Sequence, residues 1–477
     1  METSELVSII NPNKKYIVNN ECKGFGAKKK IFFATDNSFV VGIYKKDPDA
    51  MSKDRLNDLV GKYYKGLFDD EGGDFWRERF CWPYDIVKSP KGKIGIVMPL
   101  YPKDYFFQKG DRKGVEKKGK WFTSPLVRKT VDPTELGDWR SMLLCAFDLS
   151  RSIRRMHMAG LSHSDLSFNN VLLNPTKGKA LIIDVDELVV PGKYAPGVKG
   201  TPGFIAPEVY VSNAKTSQLT DLHALACLVY QYLLHRDPLQ GGKFHDEDTD
   251  KDVALAYGQE ALFVEHSTDK SNTPKPEGYK PLDWSDVNKL PCEITGPYLT
   301  KLFRQAFEDG LHNQEKRPKA AEWESALFKT YERLTPCANP NCTEHYFVLN
   351  KEKRCPFCGQ KIDGQIPVFD IYHKKHDNWE FVKKQLYGVS DKKLHKWHLY
   401  SDCYFSETLP DKDRQAIAYM KLYNGKWIFY NLSLSNLTIK DGQKEYILEN
   451  GKPTLLTAGM EIVNNDNNGV MLKVKFI

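Results

Sequence analysis

What this 477-residue chain lacks narrows the problem before any motif is read. Its longest apolar run, Ala224 to Leu234, contains Tyr and Gln and falls far short of the roughly 20 residues a bilayer span needs. The opening METSELVSIINPNKK carries acidic residues and no apolar core of leader length, so no export signal and no membrane partner are expected. Six of the ten cysteines (Cys22, Cys81, Cys145, Cys227, Cys292 and Cys403) are scattered singly. That is not a disulfide framework, and it points to a reducing, cytoplasmic compartment. The net charge of +7 is dispersed along the chain, which argues against nucleic acid as a partner. The densest basic stretch, Lys109 to Lys120, reads as a solvated insertion loop. Internal repeats and long low-complexity segments are missing too. No glutamate occurs between Glu21 and Glu71, which matters below.

The remaining composition, 41% apolar and 27% charged, is that of a globular protein with material for several cores. Residues 1 to about 100 read as strands (Lys30–Ala34, Phe39–Tyr44, Gly95–Met98) around one helix from Ala50 to about Tyr64. From about Asp138 to Thr335 helices dominate, with Met142–Met158, Asp221–Leu234 and Tyr298–Phe307 as the clearest. A cysteine-bearing stretch follows. Residues 366–477 are strand-like, with turns at Asn424-Gly425, Asp441-Gly442 and Asn450-Gly451.

Four motifs occur in one order. Gly24-Phe25-Gly26-Ala27 precedes a probable strand, and such glycines let a hairpin backbone approach phosphate oxygens. In His163-Ser164-Asp165-Leu166-Ser167-Phe168-Asn169-Asn170, an Asp five residues before an Asn puts a proton acceptor and a metal ligand on one loop. Ile182-Ile183-Asp184-Val185-Asp186 is a buried strand ending in carboxylates, suited to Mg²⁺ shared with phosphate oxygens. Gly200-Thr201-Pro202-Gly203-Phe204-Ile205-Ala206-Pro207-Glu208 comes last.

These resemble the glycine-rich loop, catalytic loop, metal-binding segment and Ala-Pro-Glu segment of eukaryotic-like Ser/Thr protein kinases. Asp221 and Arg317 match the family's buried helix aspartate and the arginine that pairs with the Ala-Pro-Glu glutamate, here Glu208. Cys81-Trp82-Pro83 and Val97-Met98-Pro99 further resemble the bacterial members found in tellurite-resistance-type operons. The resemblance implies an α+β, bilobal protein-kinase-like fold over residues 1–335, with an N-lobe at about 15–100 and a C-lobe at about 101–335. It implies ATP with Mg²⁺ or Mn²⁺, and a protein substrate or signalling partner. Asp165 would accept the hydroxyl proton, and Asn170 and Asp184 would hold the metal. Gly24, Phe25 and Gly26 would cover the phosphates, and Val41 and Leu172 would sandwich the base. Met98 would be the gatekeeper, with Leu100 and Tyr101 offering backbone groups to adenine.

The pattern also departs from the family. Gly42 stands where the third-strand lysine belongs, and Lys29, at the third-glycine position, is the expected replacement, as in with-no-lysine kinases. Lys45 and Lys46 stay open as alternatives. With no helix glutamate, Asp54 or Asp58 would have to pair with that lysine. Ser167 replaces a lysine that faces the γ-phosphate, and Ser164 an arginine that reads activation-loop phosphorylation. These losses keep a nucleotide-binding pseudokinase scaffold as the alternative to an active kinase.

Cys337 and Cys342, then Cys355 and Cys358, form C-x4-C and C-x2-C pairs, the spacing of a structural four-thiolate Zn²⁺ site; the segment, 336–363, resembles a zinc ribbon. Residues 366–477 resemble a forkhead-associated β-sandwich, which reads phosphothreonine. Asn436 matches the family's loop asparagine, but Arg414 and Gln415 lack the usual serine and histidine neighbours. A phosphorylated partner is therefore expected only if other donors replace them.

Overall fold

The computed structural model describes the whole chain except residues 1, 26–27, 70–71, 191–192, 195–199, 275–289, 377 and 407–408, and the side chains of 23, 25 and 125. The chain divides into two compact units, Met1–Thr330 and Tyr331–Ile477.

In the first unit, β1 (Thr3–Ser8), β2 (Lys15–Phe25), β3 (Lys29–Ala34), β4 (Phe39–Tyr44), β5 (Asp85–Lys88) and β6 (Ile94–Pro99) close into a barrel of order β1-β2-β3-β4-β6-β5. The small lobe therefore begins at Thr3 rather than near residue 15, because β1 pairs with both β2 and β5 and completes the ring. Asp85 ties the closure: Ser8 Oγ donates to its Oδ1 at 2.8 Å and Tyr16 OH to its Oδ2 at 2.7 Å. Strand alternation gives β4 two faces. Val41 packs with Leu6, Tyr16, Val18, Val87 and Val97 inside the barrel, while Val40 packs with Met98, Leu172 and Ile183 on the side of the large lobe.

The expected helix starts at Ala50, where the Asp49 carboxylate accepts from Ser52 N at 2.7 Å. It runs to Asp58, passes through a π-helical turn at Leu59–Tyr63, and continues as Tyr64–Phe68. The Trp82 indole donates to the Leu59 carbonyl inside that turn, at 2.9 Å, which gives the Cys-Trp-Pro segment a bracing role.

The large lobe is built on helices Trp139–Met158 and Gln218–Leu234. Each begins three residues before its expected start, because the caps are Asp138, accepting from Ser141 N at 2.8 Å, and Ser217, in a reciprocal box with Thr220. The third expected helix runs from Gly296 to Arg304 and widens into a π-turn at Gln305–Asp309. The hairpin of β7 (Val171–Asn174) and β8 (Lys179–Ile182) lies at the front of this lobe.

In the second unit, β9 (Leu334–Pro336) pairs with β10 (Tyr346–Val348). Ten further strands follow: β11 (Pro367–Lys375), β12 (Asn378–Tyr387), β13 (Lys393–His395), β14 (Ala416–Tyr423), β15 (Lys426–Asn431), β16 (Leu437–Asp441), β17 (Lys444–Ile447), β18 (Pro453–Leu455), β19 (Glu461–Asn464) and β20 (Val470–Phe476). They form two antiparallel sheets, β12-β11-β20-β19-β16-β17 and β13-β14-β15-β18. Both supply one core, in which Phe369, Ile462 and Leu472 meet Leu394, Met420 and Phe429. The cysteine segment does not stand apart. Cys342, Phe347, Leu349 and Cys355 share a cluster with Val368 and Tyr387 of the larger sheet.

Candidate active site

The loop before β7 is fixed from beneath. Asp221, buried near the start of helix Gln218–Leu234, accepts from His163 N at 2.8 Å, and the His163 ring reaches the Ile183 carbonyl at 2.9 Å. These bonds aim Asp165 out of the loop. Its Oδ1 accepts from Thr201 Oγ1 at 2.8 Å, and its Oδ2 from Asn170 Nδ2 at 3.1 Å. Asn170 Nδ2 also donates to the Asp165 carbonyl at 2.8 Å, so the amide nitrogen is committed and its oxygen remains for another partner. Ile183 N donates to the Asn170 carbonyl at 3.0 Å, which sets the Asp165 loop beside the start of the next segment. Asp184 follows in the left-handed region at φ 60°, its side chain 58% exposed. An exposed carboxylate next to a free amide oxygen is a donor set that suits a hard divalent cation.

Lys29 opens β3 directly across the ladder from Tyr44. Its side chain is only 11% exposed, and its Nζ lies 2.9 Å from Asp184 Oδ1 and 2.6 Å from Asp186 Oδ1. Gly42 makes room for it: a Cβ there would stand 3.3 Å from Lys29 Cδ and 3.4 Å from Met98 Cε. Burial opposes the ammonium charge, but Asp186 and Asp184 outweigh it and hold its pKa above the usual lysine range. Tyr44 OH donates to Asp186 Oδ2, and burial followed by that carboxylate pushes the phenol well above its ordinary value. Lys45 and Lys46 are exposed, and Lys28 pairs with Glu187.

The apolar wall of the cleft is one cluster holding Val40, Met98, Leu172 and Ile183, with Ile31, Leu100 and Tyr101 packed against it. Met98, Leu100, Tyr101 and Leu172 thus sit together as expected. Val41 does not join them. It points into the barrel, and Val40, one residue earlier, takes the cleft position expected of Val41. Ile31 and Val40 are the wall residues that motif matching missed, although period-two counting from Lys29 and from Gly42 reaches both. Gly24 pairs with Ile31 in the β2–β3 ladder. Gly26 and the Phe25 side chain lie outside the described residues.

The expected acids of the helix do not reach Lys29. Asp58 instead accepts from Lys193 and, at 2.9 Å, from Tyr194 OH, while Asp54 is exposed. Ser167 is buried, its Oγ accepting from Asn169 N at 3.3 Å. Glu208 and Arg317 form the expected pair through two bonds of 2.8 and 2.7 Å.

In the second unit, the Sγ atoms of Cys337, Cys342, Cys355 and Cys358 all lie within 4.8 Å of one another, with 3.5 Å between Cys337 and Cys358 and 3.9 Å between Cys342 and Cys355. Tetrahedral Zn–S bonds of about 2.3 Å call for separations of roughly 3.8 Å, so the thiol set fits that ion. Asn436 spends its amide on Asp466, at 2.6 Å.

Two lobes, a lysine from the small one and a loop aspartate and carboxylate segment from the large one define a protein-kinase-like domain. The protein kinase domain model matches residues 133–287. Serine/threonine-protein kinase PKH3 of Eremothecium gossypii is 30% identical over 112 residues, 22% of this chain and 15% of that protein. Serine/threonine-protein kinase RUNKEL of Arabidopsis thaliana is 30% identical over 105 residues, 21% of this chain and 8% of that protein. Cyclin-dependent kinase-like 2 of Rattus norvegicus is 25% identical over 220 residues, 43% of this chain and 42% of that protein. The chain therefore spans less than half the length of these curated relatives. Among the described residues, no helix is long and apolar enough to cross a membrane.

Proposed function

We propose that the chain is an ATP-dependent protein kinase that transfers the γ-phosphate to Ser or Thr, its own included, with Lys29 in place of the missing third-strand lysine. The observation that carries this reading is the convergence of a buried Lys29 with Asp184 in space left by Gly42. The same idea explains why Thr201 and Asn170 each hold one oxygen of Asp165. A carboxylate fixed in this way accepts the acceptor hydroxyl's proton as its oxygen bonds to the γ-phosphorus and the bond to the β-phosphate oxygen breaks. Lys29 faces the charge that gathers on the departing diphosphate. Ile31, Val40 and Leu172 enclose the base, with Met98 behind it. Asn170 and Asp184 would hold Mg²⁺, which when bound neutralises phosphate charge.

The four cysteines are read as a structural zinc ribbon, and the two sheets as a forkhead-associated-like β-sandwich that recruits a protein partner. Asp466 beside Asn436 favours a partner that is not phosphorylated at that loop. The singly scattered cysteines support a reducing, cytoplasmic compartment.

Autophosphorylation with Mg²⁺ and labelled ATP tests the proposal. Label is expected for wild type and Lys45→Met, and about a hundredfold less for Asp165→Asn and Lys29→Met. Loss in Lys46→Met with retention in Lys29→Met would refute the lysine assignment. Buried Ser167, with no cation in its place, favours a second reading, a nucleotide-binding scaffold. Nucleotide-induced thermal stabilisation of wild type without any label would establish it.

A further inference from the structure

We propose that Asp186 is the carboxylate that positions Lys29 for the nucleotide, taking over the duty that an acid on the small-lobe helix performs in kinases whose lysine sits on the third strand. The proposal rests on the nucleotide-binding reading above.

Three observations carry it. Asp186 is 2% exposed at its side chain and both its oxygens are engaged, one by Lys29 Nζ and the other by Tyr44 OH. The helix that begins at Ala50 has no glutamate, and Asp58, its nearest substitute, is committed to Lys193 and Tyr194. The two carboxylates on Lys29 also differ in kind. Asp184 is largely exposed, in a left-handed backbone position, and is free to turn toward a cation. Asp186 is enclosed, and withdrawing Lys29 would leave it a buried charge with only a phenol for company.

A lysine ammonium has three donors. Asp186 holds one permanently and so fixes the direction of the other two, which point where Asp184 now lies and where phosphate oxygens would come. Tyr44 stands across the ladder from Lys29, so the clamp consists of β3, β4 and the segment after β8. Neither bond of the clamp uses a side chain from the helix that begins at Ala50. In a kinase with a helix glutamate, displacing that helix takes the lysine's partner away; here the partner sits on the segment after β8.

A double-mutant cycle on ADP affinity, measured by calorimetry on the full chain in EDTA, separates positioning from mere stabilisation. Asp186→Asn and Lys29→Met are each expected to weaken ADP binding about tenfold, the loss of one charge-assisted hydrogen bond. The double variant is expected to bind no more weakly than Lys29→Met alone, because Asp186 acts through that lysine. Tyr44→Phe, which frees Asp186 without removing its charge, should weaken binding about twofold to threefold and serves as the probe if Asp186→Asn does not fold. Asp58→Asn should leave affinity unchanged. Wild-type affinity in Asp186→Asn, or losses that multiply in the double variant, would overturn the assignment. A wild-type chain that binds neither ADP nor Mg²⁺-ATP would overturn the nucleotide reading itself.

Discussion

Gly42 and Lys29 behave as two halves of one exchange, since the space one lacks is filled by the other. Gly42→Ala would place a methyl 3.3 Å from Lys29 Cδ and 3.4 Å from the Met98 methyl, whose free end can give by a few tenths of an ångström. Gly42→Val adds branches with nowhere to go, and overpacking of this kind costs about 1–3 kcal/mol. The expected result is an ATP KM near wild type for the alanine variant and about tenfold higher for the valine, read from initial rates of autophosphorylation. Single residues were legible in the sequence where one loop carries the chemistry, as for Asp165 and Asn170. They were not where chemistry crosses the cleft. Nothing local marks Asp186 as the partner of a lysine 157 positions earlier. Val41 was misplaced by one residue because a strand alternates its faces at every step.

At the scale of elements, the 200–208 segment is held at its end by the Arg317–Glu208 pair. Arg317 also donates to the Leu219, Gly310 and Leu311 carbonyls, so its head joins that segment to the start of helix Gln218–Leu234. Arg317→Met should destabilise the kinase-like unit by roughly 3 kcal/mol, measurable by urea unfolding, since it orphans several buried acceptors together. Arg317→Lys should recover only part, because an ammonium cannot span both Glu208 oxygens. Long periodic helices were legible to within a turn, and their true starts were written in Asp138 and Ser217. β1 was not legible: six residues, four of them polar, acquire strand identity only by closing a ring.

At the scale of the whole molecule, the kinase-like motifs lie in the first unit and the four-cysteine cluster in the second. Cys355 is fully buried in a cluster shared with the larger sheet, so losing a metal held by the four thiols should loosen more than one turn. Purified chain is expected to carry stoichiometric zinc by elemental analysis, and Cys355→Ser to lose both the zinc and the slow hydrogen exchange of β11. The same unit holds an acid-sensitive joint. Glu332 meets Lys392 at 3.2 Å and His398 at 2.6 Å. Burial alone would raise its pKa, but the Lys392 charge and the His398 hydrogen bond lower it from 4.5 to about 2. His398, buried and held below the usual histidine range, donates as a neutral imidazole. The stability Glu332 lends is complete above about pH 4.5 and drains away as pH falls toward 2, on the order of 3 kcal/mol in all. Glu332→Gln should flatten that acid decline in thermal melts. The ring of strands around the small lobe has a different consequence. A sheet whose two end strands pair with each other leaves little unpaired backbone rim, so a visiting peptide finds little to zip onto and docking there proceeds mainly through side chains. Excising Thr3–Ser8 would uncover two such rims, on β2 and β5, and the trimmed domain should self-associate, visible as concentration-dependent light scattering.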